Sequence, residues 1–259
     1  MMQSTSAVAS RDGIFITFEG GDGAGKSTHI RFLAEALMEQ GYEVVCLREP
    51  GGTVLGEALR ALVLDPSNAS LSARSELLIY EACRAQLIDE VIAPALLRGA
   101  VVLCDRFCDS TLAYQGAGRG LDEEFIEQAN AFACKDIVPR RTILMTTRAD
   151  AAANLARATH KRDADRLELE GEAFHNRVNE AYEHLAKRFP DRVVEVVSDR
   201  EKAVTAFRVF EAVSDIFPEL LPLLNDNEYF SHFNTRHVSA EAPLATSASA
   251  ECNQQGKGE

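Results

Sequence analysis

The chain has 259 residues, of which 46% are apolar and 26% charged, and its formal net charge is −13. That length holds one large domain or two small ones around a substantial core. So acidic a chain is a poor match for sequence-independent binding of nucleic acid, which needs clustered Lys and Arg, whereas a few local cations suffice for a small phosphorylated ligand.

Residues 1–10 read as a short disordered lead. The opening "MMQSTSAVASRDG" lacks the apolar segment of a secretory signal. No apolar run approaches the roughly 20 residues that cross a bilayer, so the expectation is a soluble, cytoplasmic protein without membrane contact. "IFITFE" (14–19) is a near-continuous run of β-branched and aromatic residues, the pattern of a strand buried on both faces. A helix follows, with Ile30, Leu33, Leu37 and Met38 on one face and Gly41 at its end. "EVVCLR" (43–48) predicts a second strand and "REPGGT" (48–53) a loop. Helical patterns near 53–64 and 72–98 lead to a third strand, "AVVLCD" (100–105). Two more helical patterns, around 107–115 and 122–134, precede a fourth strand, "RTILMTT" (141–147). The segment 158–171, "ATHKRDADRLELEG", is strongly charged without apolar periodicity and suits a mobile flap better than core. Phe174, Val178, Ala181, Tyr182 and Leu185 mark a helix, "RVVEVV" (192–197) a fifth strand, and Val204, Phe207, Phe210 and Val213 a last helix.

Strands alternating with helices imply parallel pairing through right-handed crossovers. The expected architecture is α/β: a five-stranded parallel sheet flanked by helices, with a mobile lid, forming one domain over residues 11–218. From about Asn225 the sequence is polar, Ser- and Ala-rich and aperiodic, so residues 225–259 read as a disordered tail. The six cysteines, Cys46, Cys83, Cys104, Cys108, Cys134 and Cys252, form no CxxC pair. They fit a reducing compartment with neither disulfides nor zinc.

The densest chemical signal is "FEGGDGAGKSTH" (18–29). Gly20, Gly25, Lys26 and Ser27 fit G-x-x-x-x-G-K-[ST], directly after a buried strand and at the start of an amphipathic helix. Here the backbone must curl around phosphate oxygens. Glycine keeps side chains out of the way, and successive N–H groups form an anion nest at the helix N-terminus. Gly20, Gly21, Asp22, Gly23, Ala24, Gly25, Lys26, Ser27 and Thr28 are therefore expected to hold a nucleoside triphosphate. Lys26 would reach the β- and γ-phosphates, and the Ser27 hydroxyl would take a place on Mg²⁺. Asp105 closes the third strand at the sheet edge where α/β proteins bind ligands. It is a second expected metal contact, although Asp is also favoured as a helix N-cap.

Four further strings bear on where the phosphate goes: "REPGGT" with Arg60 one helix on, "IYEACRAQ" with Tyr80 and Arg84 four apart, "DRFCDSTLAYQGAGRG" (105–120), and the flap with Lys161, Arg162, Asp165 and Arg166. In order and spacing these strings resemble those of bacterial-type thymidylate kinases over about residues 13–217. The resemblance implies a P-loop nucleoside monophosphate kinase fold with a core, an acceptor-binding region and a lid at about 158–171. It implies transfer of the ATP γ-phosphoryl group to thymidine 5′-monophosphate, in the supply of dTTP, by an enzyme that forms a homodimer. Carried over by position, Arg48, Arg60 and Arg106 would surround the acceptor phosphate. Tyr80 would stack on thymine in place of the family's more common Phe. Arg84 would bond a thymine carbonyl, helped by Thr111 and Gln115. Tyr114 would lie against the sugar and disfavour a 2′-hydroxyl, with Asp22 near the acceptor sugar and phosphate.

Two polyanions must be aligned in such a site, and arginine forks bind phosphate without losing charge. Between Gly20 and Gly25 the turn holds only Gly21, Asp22, Gly23 and Ala24, with no basic residue. The lid must then supply the cation that bridges donor and acceptor: Arg162, with Lys161 as alternate, while Arg157 stacks near adenine. Two departures from the family pattern stand out. Pro139-Arg140-Arg141-Thr142 replaces the usual P-D-L-T, and the fourth strand ends in Thr146-Thr147 instead of an acid. The competing readings are a nucleotide or nucleoside kinase with another acceptor, and a P-loop ATPase switch. The latter would need ordered switch loops in place of an arginine-lined pocket.

Overall fold

The five apolar runs become the strands of one parallel sheet: β1 (Ile14–Glu19), β2 (Val44–Arg48), β3 (Val101–Asp105), β4 (Arg141–Thr147) and β5 (Val193–Ser198), in the order β2-β3-β1-β4-β5. The structure, a computed structural model, describes residues 12–147, 164–198 and 201–235. β1 lies at the centre, paired to β3 with Phe18 beside Asp105 and to β4 with Phe18 beside Ile143. The glycine-rich turn that follows β1 therefore leaves from the middle of the sheet's C-terminal edge.

Strand residues alternate between two cores, as a period of two requires. Ile16 and Phe18, Val44 and Cys46, and Val101 and Leu103 face a core shared with helix α1 (Lys26–Glu39) and the last long helix, α7 (Lys202–Glu211). Phe15, Val45, Leu47, Val102 and Cys104 point the other way, against Leu87, Ile88, Ile92 and Phe107. On that side lie α2 (Val54–Leu64) and α3 (Ala73–Leu87), the latter continued by a π-helical turn, Ile88–Ile92, into Ala93–Leu97. A short helix α4 (Cys108–Thr111) widens into a π-helical stretch, Leu112–Gly118, and α5 (Glu123–Cys134) follows. Helix α6 (Glu172–Arg188) buries Phe174, Val178, Tyr182 and Leu185 against Tyr114 and Leu144.

Three sequence expectations need correction. Of the stripe expected in the last helix, Phe210 and Val213 are buried and Phe207 packs against the core, but the first member does not. Val204 is exposed, while Thr205, Ala206, Val209 and Phe210 are buried. The expected tail from Asn225 is folded as far as Thr235. A short helix, Asn227–Ser231, and the turn after it insert Phe230 and Phe233 into the core, where Phe233 stacks on Phe32 at 4.1 Å. Three aromatic residues, Tyr229, Phe230 and Phe233, make too brief a pattern to register as helix periodicity. Finally, the described end of the flap, residues 164–170, is packed down, with Arg166, Leu167 and Glu168 all buried.

Candidate active site

The turn after β1 is shaped by contacts that only glycine permits. At Gly20 (φ 121°) a Cβ would meet the Met145 carbonyl oxygen, and Gly25 (φ 94°) precedes the first residue of α1 in the left-handed region. Lys26 is buried, and its Nζ donates to the carbonyls of Gly20 (2.9 Å) and Gly21 (3.0 Å). The lysine is thereby folded back over the turn it serves. Burial and the nearby charge of Arg106 lower its pKa. Ser27 Oγ donates to Asp105 Oδ2 at 2.6 Å, so the two groups expected to hold a metal meet across β1 and β3. A hydroxyl and a carboxylate are hard oxygen donors of the kind that Mg²⁺ takes.

Beside this turn lies a cavity lined by Asp22, Glu49, Pro50, Arg60, Leu64, Tyr80, Arg106, Ser110, Thr111, Tyr114, Gln115, Asp165, Leu167 and Glu168. Seven of the residues expected at the acceptor are thus brought together from five segments of the chain: Asp22, Arg60, Tyr80, Arg106, Thr111, Tyr114 and Gln115. Arg106 joins cavity and turn. It adopts a left-handed backbone (φ 71°), uncommon for a residue with a side chain. Its guanidinium donates to Asp22 Oδ1 at 2.6 Å and lies over the Tyr114 ring at 5.0 Å. Burial alone would raise the Asp22 pKa, but Arg106 and Lys26 outweigh it and bring it down to about 2. Burial works against the Arg106 charge, yet its anionic surroundings keep it fully protonated. Arg60 donates to the Pro50 carbonyl at 2.7 Å, and burial together with the charge of Arg48 lowers its pKa.

Two expected acceptor contacts lie elsewhere. Arg84 is 1% exposed, and all five of its N–H groups are engaged by protein. Nε and Nη2 go to Glu49, Nη1 to Glu81 and Asn130, and Nη2 also to Thr111. It stands behind the cavity wall and orients Thr111, leaving no donor for a base. Arg48 is exposed, pairs with Glu57 at 2.8 Å and does not line the cavity, although its charge is felt at Arg60. Arg157, Lys161 and Arg162 lie outside the described residues. Arg141, one of the departures before β4, bonds Asp215 and the Ala212 carbonyl, away from both sites.

Residues that the sequence reading passed over hold the wall in place. Glu19, at the end of β1, is fully buried and accepts from Phe107 N (2.7 Å), Ser110 Oγ (2.6 Å) and Tyr182 Oη (3.0 Å). Burial, reinforced by the charge of Asp109, pushes its pKa up to about 7. Its position directly before the glycines was the available signal. Glu76 is a second buried hub, accepting from Gln115 (2.7 Å), Arg119 (3.1 and 3.0 Å) and Arg166 (2.6 Å). Arg166 also donates to the Val63 carbonyl. The described end of the flap is thereby clipped to the end of α2 and the first turn of α3. Glu49 completes the set, its carboxyl pushed up to about 7 by burial against the pull of Arg84.

Comparison with known proteins agrees with this geometry. The family model described as thymidylate kinase matches residues 18–207. A thymidylate kinase of Pelobacter propionicus is 46% identical over 190 residues, covering 71% of this chain and 86% of that protein. One of Trichlorobacter lovleyi is 43% identical over 206 residues, covering 77% and 96%. Among solved structures, the thymidylate kinase of Ehrlichia chaffeensis superposes with a TM-score of 0.64 at 33% identity, covering 78% of this chain and 99% of that one.

Proposed function

The chain belongs to the thymidylate kinase family and phosphorylates thymidine 5′-monophosphate with ATP, a step in dTTP biosynthesis; we propose that it does so by direct in-line transfer between a donor held at Gly20–Thr28 and an acceptor held in the cavity of Arg60, Tyr80, Arg106, Thr111, Tyr114 and Gln115. The observation that carries this reading is the Arg106–Asp22 bond, which joins the donor turn to the acceptor wall at 2.6 Å. A group passing between the two sites would cross at this junction, where Lys26 and Arg106 lie on either side of Asp22.

Phosphoryl transfer leaves the protein little covalent chemistry to perform. Positioning and stabilisation of charge account for the rate. Lys26 and the turn's amides would hold the β- and γ-phosphates. Arg106 and Arg60 would hold the acceptor phosphate, and Tyr80 would stack on the base. Tyr114, pinned between Arg106 and α6, would leave no space for a 2′-hydroxyl. Ser27 and Asp105 would hold Mg²⁺, which when bound neutralises phosphate charge. Arg162, with Lys161 as alternate, would bridge the two nucleotides, and Arg157 would meet adenine. The lid over about 158–171 would hinge at its described end, where Arg166 is anchored to Glu76.

The reading includes a homodimer in the cytoplasm. Val54, Leu62, Leu78, Phe125 and Phe132 stand exposed on three neighbouring helices, α2, α3 and α5, which supports self-association. The free thiols support a reducing location. No helix among the described residues is long and apolar enough to cross a membrane.

Incubation of the protein with Mg-ATP and each nucleoside monophosphate in turn tests the assignment. ADP formation that requires thymidylate is expected. Hydrolysis at the same rate without an acceptor would contradict it and favour an ATPase switch. Preference for a different monophosphate would move the assignment to another nucleotide kinase.

A further inference from the structure

Away from the site just described, the molecule has a broad, mostly apolar groove of about 530 Å³ between α4, the end of α5, and the loops that precede β4 and β5. Two cysteines line it. Cys108 opens α4 and is partly exposed, Cys134 closes α5 and is buried, and their sulfurs are 3.0 Å apart. Both are free thiols. A disulfide bond needs sulfurs at about 2.05 Å, so closure asks each side chain to move by roughly half an ångström. Small neutral oxidants can enter such a groove, and the two thiols come from elements that are 26 residues apart in sequence.

Those two helices also bear on the acceptor wall. Asn130, on α5, bonds the Cys108 carbonyl through Nδ2 (3.5 Å) and Arg84 through Oδ1 (2.7 Å). Arg84 in turn orients Thr111, one turn beyond Cys108. A cross-link at the mouth of this chain would draw the start of α4 toward the end of α5.

We propose that Cys108 and Cys134 are a dithiol that a hydroperoxide converts into an intramolecular disulfide, and that the cross-link weakens binding of the monophosphate. The more exposed Cys108 reacts first. Its sulfur attacks a peroxide oxygen, the O–O bond breaks, and one water leaves after proton transfer, giving a sulfenic acid. Cys134 loses its proton and attacks the Cys108 sulfur, the S–O bond breaks, and a second water leaves. Two thiols are oxidised by two electrons and one hydrogen peroxide is reduced to two waters. Burial and the neighbouring Cys134 thiol keep Cys108 protonated, so its reaction with peroxide is slow and needs added oxidant.

The test treats the full chain with hydrogen peroxide, blocks the remaining thiols by alkylation, and maps the digest by mass spectrometry. The expected result is one cross-linked peptide pair carrying Cys108 and Cys134, a loss of about two mass units, and full reversal by a reducing dithiol. The oxidised protein should show a KM for thymidylate raised about fivefold with the KM for ATP within about twofold, because α4 and the Asn130–Arg84–Thr111 path bear on the acceptor wall. In Cys134→Ser, Cys108 should instead be trapped as the sulfenic acid by dimedone. Separate alkylation of both thiols after peroxide treatment, a bond from either to Cys252, or a cross-link that leaves the thymidylate KM unchanged would each overturn the proposal. The affinity readout rests on the acceptor reading, whereas the mass readout does not. Should the acceptor assignment itself be wrong, reduced protein would already fail to use thymidylate.

Discussion

The proposed donor turn and the proposed acceptor wall are made from different materials. Gly20–Thr28 is one continuous stretch, with three left-handed glycines, Gly20, Gly23 and Gly25, and a lysine folded back onto the carbonyls of Gly20 and Gly21. The proposed acceptor wall is made of side chains from five segments, kept in place by the buried carboxylates Glu19 and Glu76 behind it and Glu49 within its lining. The first arrangement is robust because it is local. The second depends on buried ions, each of which is costly once its partner is removed. Substitutions in the wall should therefore split into those that remove chemistry and those that remove stability.

The sharpest division should come from Arg106. Arg106→Ala removes the proposed contact where the two phosphates meet and leaves the partly buried Asp22 without its main partner. Its kcat/KM for thymidylate should fall by roughly 10²–10⁴-fold, measured by coupled ADP release. A loss below about tenfold would separate Arg106 from the reaction. Arg84→Ala should differ in kind. It strands Glu49 and Glu81 in the interior and should cost about 3–5 kcal/mol in chemical denaturation, with thymidylate affinity impaired only through Thr111. An unchanged stability with selective loss of thymidylate binding would put Arg84 inside the cavity after all.

The pH dependence of the wall sharpens the contrast further. Glu19 has its pKa raised from 4.5 to about 7 in the folded chain, so the folded state binds that proton more tightly than the unfolded one. The stability this contributes is fully present below about pH 4.5 and is lost as pH rises through 7. Relative to Glu19→Gln, which does not titrate, the wild type should lose ground between pH 5 and 8, by on the order of 3 kcal/mol. A difference in melting free energy that stays constant over this range would show that Glu19 is ionised throughout. The smallest effect belongs to Arg48→Ala. It breaks an exposed pair with Glu57 and should change stability by about 0.5 kcal/mol or less, with the thymidylate KM altered less than about threefold. A rise of about thirtyfold would mean that Arg48 swings into the cavity when the acceptor binds.

What the sequence displayed, and what it hid, follows the same line. Strands buried on both faces are near-continuous apolar runs, so β1, β2 and β3 could be found from composition and length, and the half-exposed β5 from its four valines. The glycine-rich turn between β1 and α1 is legible because its pattern is contiguous. Tyr80, Thr111, Tyr114 and Gln115 were identified through a family resemblance, since nothing in their spacing separates them from an ordinary helix face. Arg84 shows the limit of that carry-over. Its place in the motif does not reveal that Glu49, Glu81, Asn130 and Thr111 already occupy its donors. The Glu76–Arg119–Arg166 cluster was hidden for a related reason, because a charged residue in a charged stretch looks solvated until the fold brings its partners from 43 and 90 positions away. The helix of Tyr229 and Phe230 was missed because a single turn carries no period to detect.

The central claim is that the two nucleotides lie end to end across Asp22 and Arg106. It is tested most directly with adenosine and thymidine joined 5′ to 5′ through a chain of phosphates, measured as an inhibitor against each substrate in turn. The account predicts competition with both ATP and thymidylate, and an affinity well above that of either nucleotide alone because one molecule fills both sites. Competition with only one of the two substrates, or no gain in affinity over the single nucleotides, would contradict it.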